Sequence, residues 1–363
     1  MNDSNSALSS SGPLRYASER LTAFANQALV AAGLNPSMAA DVADVLVEGD
    51  LLGHDTHGLQ LLSPYLADLA QGKMTSAGEF KVLAERACVA TWDGVKLPGP
   101  WLVKRAIAWA QPRAREYGQA TVVIRRSHHI GCLAAYLEAP ARAGFLMTLT
   151  SSDPDSASVA PYGGTRAVFT PNPISFGIPT GGDPMLIDVS ASITTNAMSN
   201  RLSKANQHGE HLWWLDHDGL PSKDPGVLLT QPPGTILPLG GIDSGHKGYG
   251  LALMIEALTG GLTGFGRADP SPGWGATVYL HFQDPQAFAG LDAFTRQTDW
   301  IAQACHDSMP RLPDQPVRVP GERALRRKRE QLSTGVALHP GIMPALKPWA
   351  ERFRLNLPET LLN

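Results

Sequence analysis

Residues 53–66, GHDTHGLQLLSPYL, set two imidazoles, His54 and His57, around Asp55 and Thr56, with an apolar run directly behind them. Three kinds of chemistry fit such a cluster: metal ligation, proton transfer in a substrate pocket, or capping of a helix end. A structural zinc site needs about four ligands. Further ligands are not apparent here: the chain has no H-E-x-x-H, and Cys88, Cys132 and Cys305 are remote. No metal is expected. His54 suits a helix terminus, where an imidazole can bond the last carbonyls. The local sequence leaves His57, followed by Gly58, open between a structural and a catalytic role.

A second candidate is Asp188, which follows an apolar, strand-like run in PMLIDVSASITTN (184–196). A buried carboxylate must be paired or hydrogen-bonded. Asp188 either orients an acid/base histidine, as the third member of a triad does, or caps a loop at a strand end. Anion sites are also on offer. RRSHHIG (125–131) lies between a strand and a helix, with Gly131 permitting close approach, and GHKGYG (245–250) opens a helix beside the cation Lys247. Helix N-termini of this kind can hold phosphate. Neither stretch is a G-x-G-x-x-G following a strand, so the Rossmann fingerprint is missing, as is a P-loop.

These residues need elements to hold them. Residues 14–52 read as helical: Leu21, Phe24, Ala25, Ala28, Leu29 and Ala32 keep helical spacing up to a Gly33 cap. The helix restarts at Asn35 and Pro36 and ends at Gly53. ACVATWDG suggests a strand and turn, 100–116 a helix, ATVVI (120–124) a strand, and RRSHHIG a turn. A helix is expected over 132–143, kinked or ended by Pro140, then a buried strand over 145–150. Residues 151–245 are rich in Gly, Pro, Ser and Asp and predict short strands between long loops. Helices follow at 248–261, 286–307 and 322–332, with a strand at 277–282 and a final helix. This alternation predicts an α/β or α+β core.

The 363 residues suffice for a sizeable core, and 43% hydrophobic with 17% charged residues excludes a disordered chain. A net charge of −3 with no basic domain argues against nucleic acid, and no apolar run is long enough to span a membrane. The N-terminal stretch MNDSNSALSSSGPLRYASER does not have the layout of a signal peptide. Three scattered cysteines form no disulfide framework, which suits a reducing cytoplasm.

Taken in order, the motifs resemble the malate/L-lactate dehydrogenase family of the non-Rossmann type, which includes ureidoglycolate, sulfolactate, diketogulonate and piperideine-carboxylate oxidoreductases. DTHGLQLLSPYL resembles its DSHGVxRxxxY, and RRSHHIGCLAAYLEAPARAGFL its NSNHFGxAGYYAExAAxxGL. TSSDPDSASVAPYGG, TPNPISFGIPT, LIDVSAS, GHKGYGLALMIEALTGGLTG, LHFQDPQAF and VPGE follow in the family's order, over roughly residues 14–345.

The resemblance implies an α+β (mixed α/β) fold with a non-Rossmann NAD(P)-binding mixed-sheet domain. The expected divisions are a disordered tail (1–13), a helical N-terminal domain carrying the histidine motif (14–86), the cofactor domain (87–310), and a C-terminal helical segment packing back on the N-terminal region (311–363). By carry-over His57 is the proton donor, Thr56 its neighbour in place of serine, Asp188 its charge-relay partner, and His129 a second acid/base candidate. NAD or NADP, with NADPH slightly favoured, would lie along Ser127, His129, Ile130, Gly131, Ser151, Ser152, Asn172, Pro173, Ile174, Leu186, Ile187, Asp188, Lys247, Gly321 and Glu322. The substrate would meet His54, Leu61 and Tyr65. A small-molecule substrate, a homodimer, and no nucleic-acid or membrane partner are implied.

One departure from the pattern bears on the substrate. The family's arginine, four residues past its histidine, falls on Leu61, and leucine cannot grip a carboxylate. His54, Arg126 or a residue from a partner subunit are the substitutes considered; otherwise the substrate is a larger or less acidic ketone or cyclic imine, or the chain is a degenerate, non-catalytic homologue. Pro171 for the threonine of GTNP, His246, and the doubled His128–His129 are lesser departures.

Overall fold

The computed structural model describes residues 14–269 and 273–361. The tail expected over 1–13 lies outside the described residues.

The first element corrects the helical reading from residue 14. A two-residue strand, β1 (Arg15–Tyr16), comes first, and it pairs antiparallel with Val336–Ala337 some 320 positions away. Helical periodicity carries no signal for so distant a partner. α1 (Ser18–Ala31) and α2 (Pro36–Leu52) follow as the spacing predicts: the Asn35 side chain accepts from Ser37 N at 3.0 Å, and Gly53 ends α2 in the left-handed region at φ +91°. A 3-10 turn, Leu59–Leu61, leads into α3 (Leu62–Ala70).

The central sheet opens with β2 (Lys81–Arg86), which the sequence did not betray because all six residues are exposed and do not alternate. It forms a hairpin with β3 (Val89–Asp93), so the expected boundary at 86/87 falls inside that hairpin. α4 (Gly99–Tyr117) precedes β4 (Gln119–Ser127). β4 runs three residues further than expected into RRSHHIG. Asp93 on the neighbouring β3 bonds both Arg125 and Arg126, and this pairing holds the extension in the sheet. The helix expected over 132–143 is split into a 3-10 turn (Leu133–Tyr136) and the short α5 (Glu138–Arg142). Pro140 has no N–H for an i→i−4 bond, and the Ala134 N–H is taken by the Asp188 carboxylate at 2.9 Å.

β5 (Leu146–Ser152), β6 (Pro173–Ile178) and β7 (Met185–Ser190) follow as antiparallel neighbours. The loop-rich middle holds the expected short strands, β8 (Trp214–Leu215), β9 (Pro221–Ser222) and β10 (Thr235–Ile236), in a three-stranded sheet. It also holds an unforeseen helix, α6 (Asn196–Lys204), capped by Thr195. α7 (Gly241–Glu256) starts earlier than expected, kinks at Ser244 and runs into a π-turn, Ala257–Gly261. β11 (Ala276–Gln283), α8 (Leu291–His306), α9 (Glu322–Thr334), β12 (Val336–Ala337) and α10 (Ile342–Phe353) complete the chain.

The main sheet has the order β2-β3-β4-β11-β5-β6-β7, antiparallel throughout except for the parallel β3–β4 pair. It is therefore a mixed α/β fold without the parallel, doubly wound sheet of a Rossmann domain. The larger core joins α1–α4, one face of the sheet, and α9 and α10; a smaller one gathers Val159, Phe169, Trp214, Ile236 and Ile255 around the three-stranded sheet. The C-terminal elements close on the N-terminal helices: Trp349 donates to Ser63 Oγ at 3.0 Å, and Lys328 pairs with Glu48 on α2. Among the described residues no helix is long and apolar enough to cross a membrane. All three cysteines are free thiols.

Candidate active site

The histidine loop is built on the end of α2. Left-handed Gly53 turns the chain, and His57 N donates to His54 O at 2.8 Å. Beneath the loop the buried Asp50 takes the Leu59 N–H on Oδ2 at 2.7 Å. A Cβ at Gly58 would overlap that carboxyl group, so only glycine lets the loop lie so close. From α9, Gln331 Nε2 donates to Asp50 O (3.0 Å), which also accepts from Gly53 N, and to Leu51 O (2.9 Å), tying α9 to the last turn of α2. Burial pushes the Asp50 carboxyl up to about 8, against the opposing Leu59 N–H.

On this platform His57 Nδ1 meets Thr56 Oγ1 at 2.9 Å. Its Nε2 makes no hydrogen bond among the described residues. Burial, reinforced by the nearby His54 and Arg201 charges, lowers the imidazole to about 4, with Asp55 opposing. The ring lies 6.0 Å from that of His129. His129 stacks on Trp274 at 4.3 Å, and its Nδ1 meets the Tyr65 hydroxyl at 2.8 Å; desolvation holds it well below the usual histidine range. The doubled histidines thus divide their work. His128 is fully buried and pairs with Asp68 at 2.9 Å, while His129 faces His57.

Asp188 is not placed as expected. The helix ends at Gly53, so both histidines lie on the loop beyond it, and it is His54 that comes near Asp188. His54, Cys132 and Asp188 each bring one donor atom within 4.8 Å of the others. The carboxylate accepts from Ala134 N, lies 3.9 Å from Cys132 Sγ, and is raised by burial with His54 opposing. No hydrogen bond joins Asp188 to His57 among the described residues. Leu61 is likewise turned into the core, at 8% exposure, where it can line a pocket only from behind.

Several of the cofactor candidates lie where the strands of the sheet end on one side. Ser127 ends β4 opposite Ala276, Thr277 of β11 faces Ser152, and Pro173 of β6 faces Ser190, two residues beyond Asp188. Ser127 spends its hydroxyl on His128 O. Ile130 is buried, and Gly131 has φ +73°, where an added Cβ would meet only Val45. Asn172 sits at φ +45°, and Ser151, Ile174, Leu186 and Ile187 continue the strands. Gly321 packs on Leu186 N at the other end of β7, with Glu322 bonded to His306. Lys247, one turn beyond the Ser244 kink, is exposed and makes no ion pair among the described residues.

Several residues were missed by the sequence reading. Glu256 on α7 accepts from Ser152 Oγ (2.7 Å), Asn172 Nδ2 (2.9 Å) and Arg267 Nε (2.8 Å), and so ties two cofactor candidates together. A lone carboxylate in the apolar LALMIEAL run was its signal. Asp50 had a similar one, an acid among leucines. Arg201 and Trp274 had none, because only the folded chain brings them to the loop.

Residues 16–347 match the family model of malate/L-lactate dehydrogenase. The chain is 30% identical to the L-lactate dehydrogenase of Cupriavidus necator, over 92% of this chain and 97% of that protein. It is 33% identical to the (2R)-3-sulfolactate dehydrogenase (NADP(+)) of Chromohalobacter salexigens, over 83% and 89%. The solved structure of a putative malate/lactate dehydrogenase from E. coli superposes with a TM-score of 0.86 at 27% identity, covering 95% and 96% of the two chains. The fold and the matches define a dehydrogenase with a non-Rossmann mixed sheet. The chain belongs to the malate/L-lactate dehydrogenase family and is an NAD(P)-dependent oxidoreductase.

Proposed function

We propose that the protein reduces a small 2-oxo acid or cyclic imino acid, and oxidises the corresponding 2-hydroxy or amino acid, with His57 as proton donor and acceptor. The observation that carries this reading is His57 itself. Its Nδ1 is fixed by Thr56, its Nε2 is unengaged among the described residues, and its environment keeps the ring neutral at pH 7. A neutral, positioned imidazole takes a proton from an alcohol and returns it to a carbonyl oxygen in the reverse direction. A bound nicotinamide supplies or accepts the hydride. The glycine opening at Gly131 and the exposed cation Lys247 support such a dinucleotide, with Ser151, Ser152 and Asn172 as its proposed neighbours. The aromatic wall of Tyr65, His129 and Trp274 helps keep water from the reacting centre. Asp188 acts on His54 rather than on His57 in this reading, and His129, the second acid/base candidate, borders the pocket.

The test is a panel of pyruvate-like acids, cyclic imines and bulky ketones, each with NADH and NADPH. Turnover of a short 2-oxo or cyclic imino acid, lost on His57→Ala, is expected; equal rates in the variant remove His57 from catalysis, whereas no turnover of any compound by the parent favours a non-catalytic homologue. Buried, apolar Leu61 favours a second reading, a larger or less acidic ketone or imine, which strong turnover of short acids eliminates. The sulfolactate relative's NADP(+) supports a preference for NADPH. A homodimer, read by light scattering, and a cytoplasmic location belong to the same proposal.

A further inference from the structure

An acidic substrate brought to His57 needs a cation beside the imidazole, and Leu61 does not supply one. The substitutes suggested by sequence are engaged elsewhere. Arg126 is held by both oxygens of Asp93, and His54 stands against Asp188 and Cys132. On the other side of the loop, Arg327 of α9 abuts Gly53 and bears on Asp50.

Arg201 is placed differently. It reaches over from α6, in the second half of the chain, and bonds the loop at residues before and after His57 in sequence. Its NH1 donates to Asp55 Oδ1 at 3.0 Å; its NH2 donates to Gln60 Oε1 at 2.6 Å and to Asp55 O at 3.3 Å. The side chain is 17% exposed, so the charge is largely withdrawn from water. A guanidinium has five N–H donors, and these contacts use three. The Nε–H is buried without an acceptor, and an unmet donor of this kind favours any acceptor that reaches it. Arg201 is also one of the charges that bear on the His57 ring.

We propose that Arg201 is the anion-recognising residue of the substrate site, gripping the carboxylate of a small 2-oxo or 2-hydroxy acid in place of the missing arginine at Leu61. This rests on the function proposed above. In the resting protein Asp55 occupies the Nη1/Nη2 edge of the guanidinium and Gln60 the other Nη2–H; the substrate carboxylate takes the free Nε–H and displaces Gln60 from the Nη2–H beside it. Asp55 is then a competitor as well as a tether.

The test compares kcat and KM for pyruvate and its uncharged amide in the parent, Arg201→Met, Arg201→Lys and Asp55→Asn proteins, with NAD(P)H binding read by fluorescence. Arg201→Met should raise KM for pyruvate about 30- to 100-fold, the scale of a lost charge-assisted pair. The amide's kcat/KM should change less than about threefold, and Arg201→Lys should fall between. Asp55→Asn keeps an oxygen for NH1 but removes the rival charge, so pyruvate KM should stay level or fall. Equal losses for acid and amide, or a pyruvate KM that rises alike in Arg201→Met and Asp55→Asn, would make Arg201 a loop latch and overturn the proposal. If the parent binds NAD(P)H but turns over neither compound, binding of oxamate by parent and Arg201→Met decides the matter. Equal affinities refute the grip, while loss in the variant upholds it and leaves only the reaction to be reassigned.

Discussion

Asp50 offers a quantitative test of how the histidine loop is supported. Its carboxyl is 2% exposed, gives one oxygen to Leu59 N, and is pushed from an ordinary value of 3.8 up to about 8. A folded-state pKa raised above the unfolded one means the folded protein prefers the protonated acid. The stabilisation is full below about pH 4 and is lost as pH rises through about 8. Asparagine keeps the acceptor for Leu59 and cannot ionise. The difference in unfolding free energy between Asp50→Asn and the parent should therefore grow by about 1.4 kcal/mol per pH unit inside that window. Between pH 5.5 and 7.5 it should shift by about 2–3 kcal/mol in favour of the variant. Urea unfolding followed by tryptophan fluorescence at three pH values measures this, and other titrating groups cancel in the difference. Parallel curves for the two proteins across that range would refute a neutral Asp50 under the loop.

Three further outcomes are expected. With the imidazole held near 4, kcat/KM for hydroxy-acid oxidation should fall only below about pH 5 instead of near 6.5, as a pH–rate profile will show. Gly58→Ala should press a methyl group into the Asp50 carboxyl, costing about 1–3 kcal/mol and lowering kcat/KM about 100-fold by displacing His57; thermal melts and initial rates check both. Glu256→Gln should weaken NAD(P)H binding about tenfold through misplacement of Ser152 and Asn172, with kcat nearly kept, measured by fluorescence titration.

What the sequence made legible follows the range of each interaction. α1 and α2 were readable to within a few residues because their caps, Gly33, Asn35 and Gly53, act locally. β1, β2 and α6 were not: β1 depends on a partner beyond residue 330, β2 is an exposed edge, and α6 is a short helix in a loop-rich stretch. The same division holds at the site. The motif around His57 and its neighbour Thr56 stood in one continuous stretch and was recognisable. The approach of His54 to Asp188, and the arrival of Arg201 and Trp274, arise only when elements far apart in sequence meet. His54 and His57, three positions apart on one loop, meet different neighbours, Asp188 with Cys132 for the first and Thr56 for the second.

Gln331 carries a consequence for the order of events during synthesis. The carbonyls at the end of α2 receive its amide from 280 residues downstream. A nascent chain therefore cannot brace its histidine loop in this way until α9 has emerged from the ribosome and docked. A polypeptide cut short before residue 331 would hold every motif discussed above yet leave the His57 loop without this support.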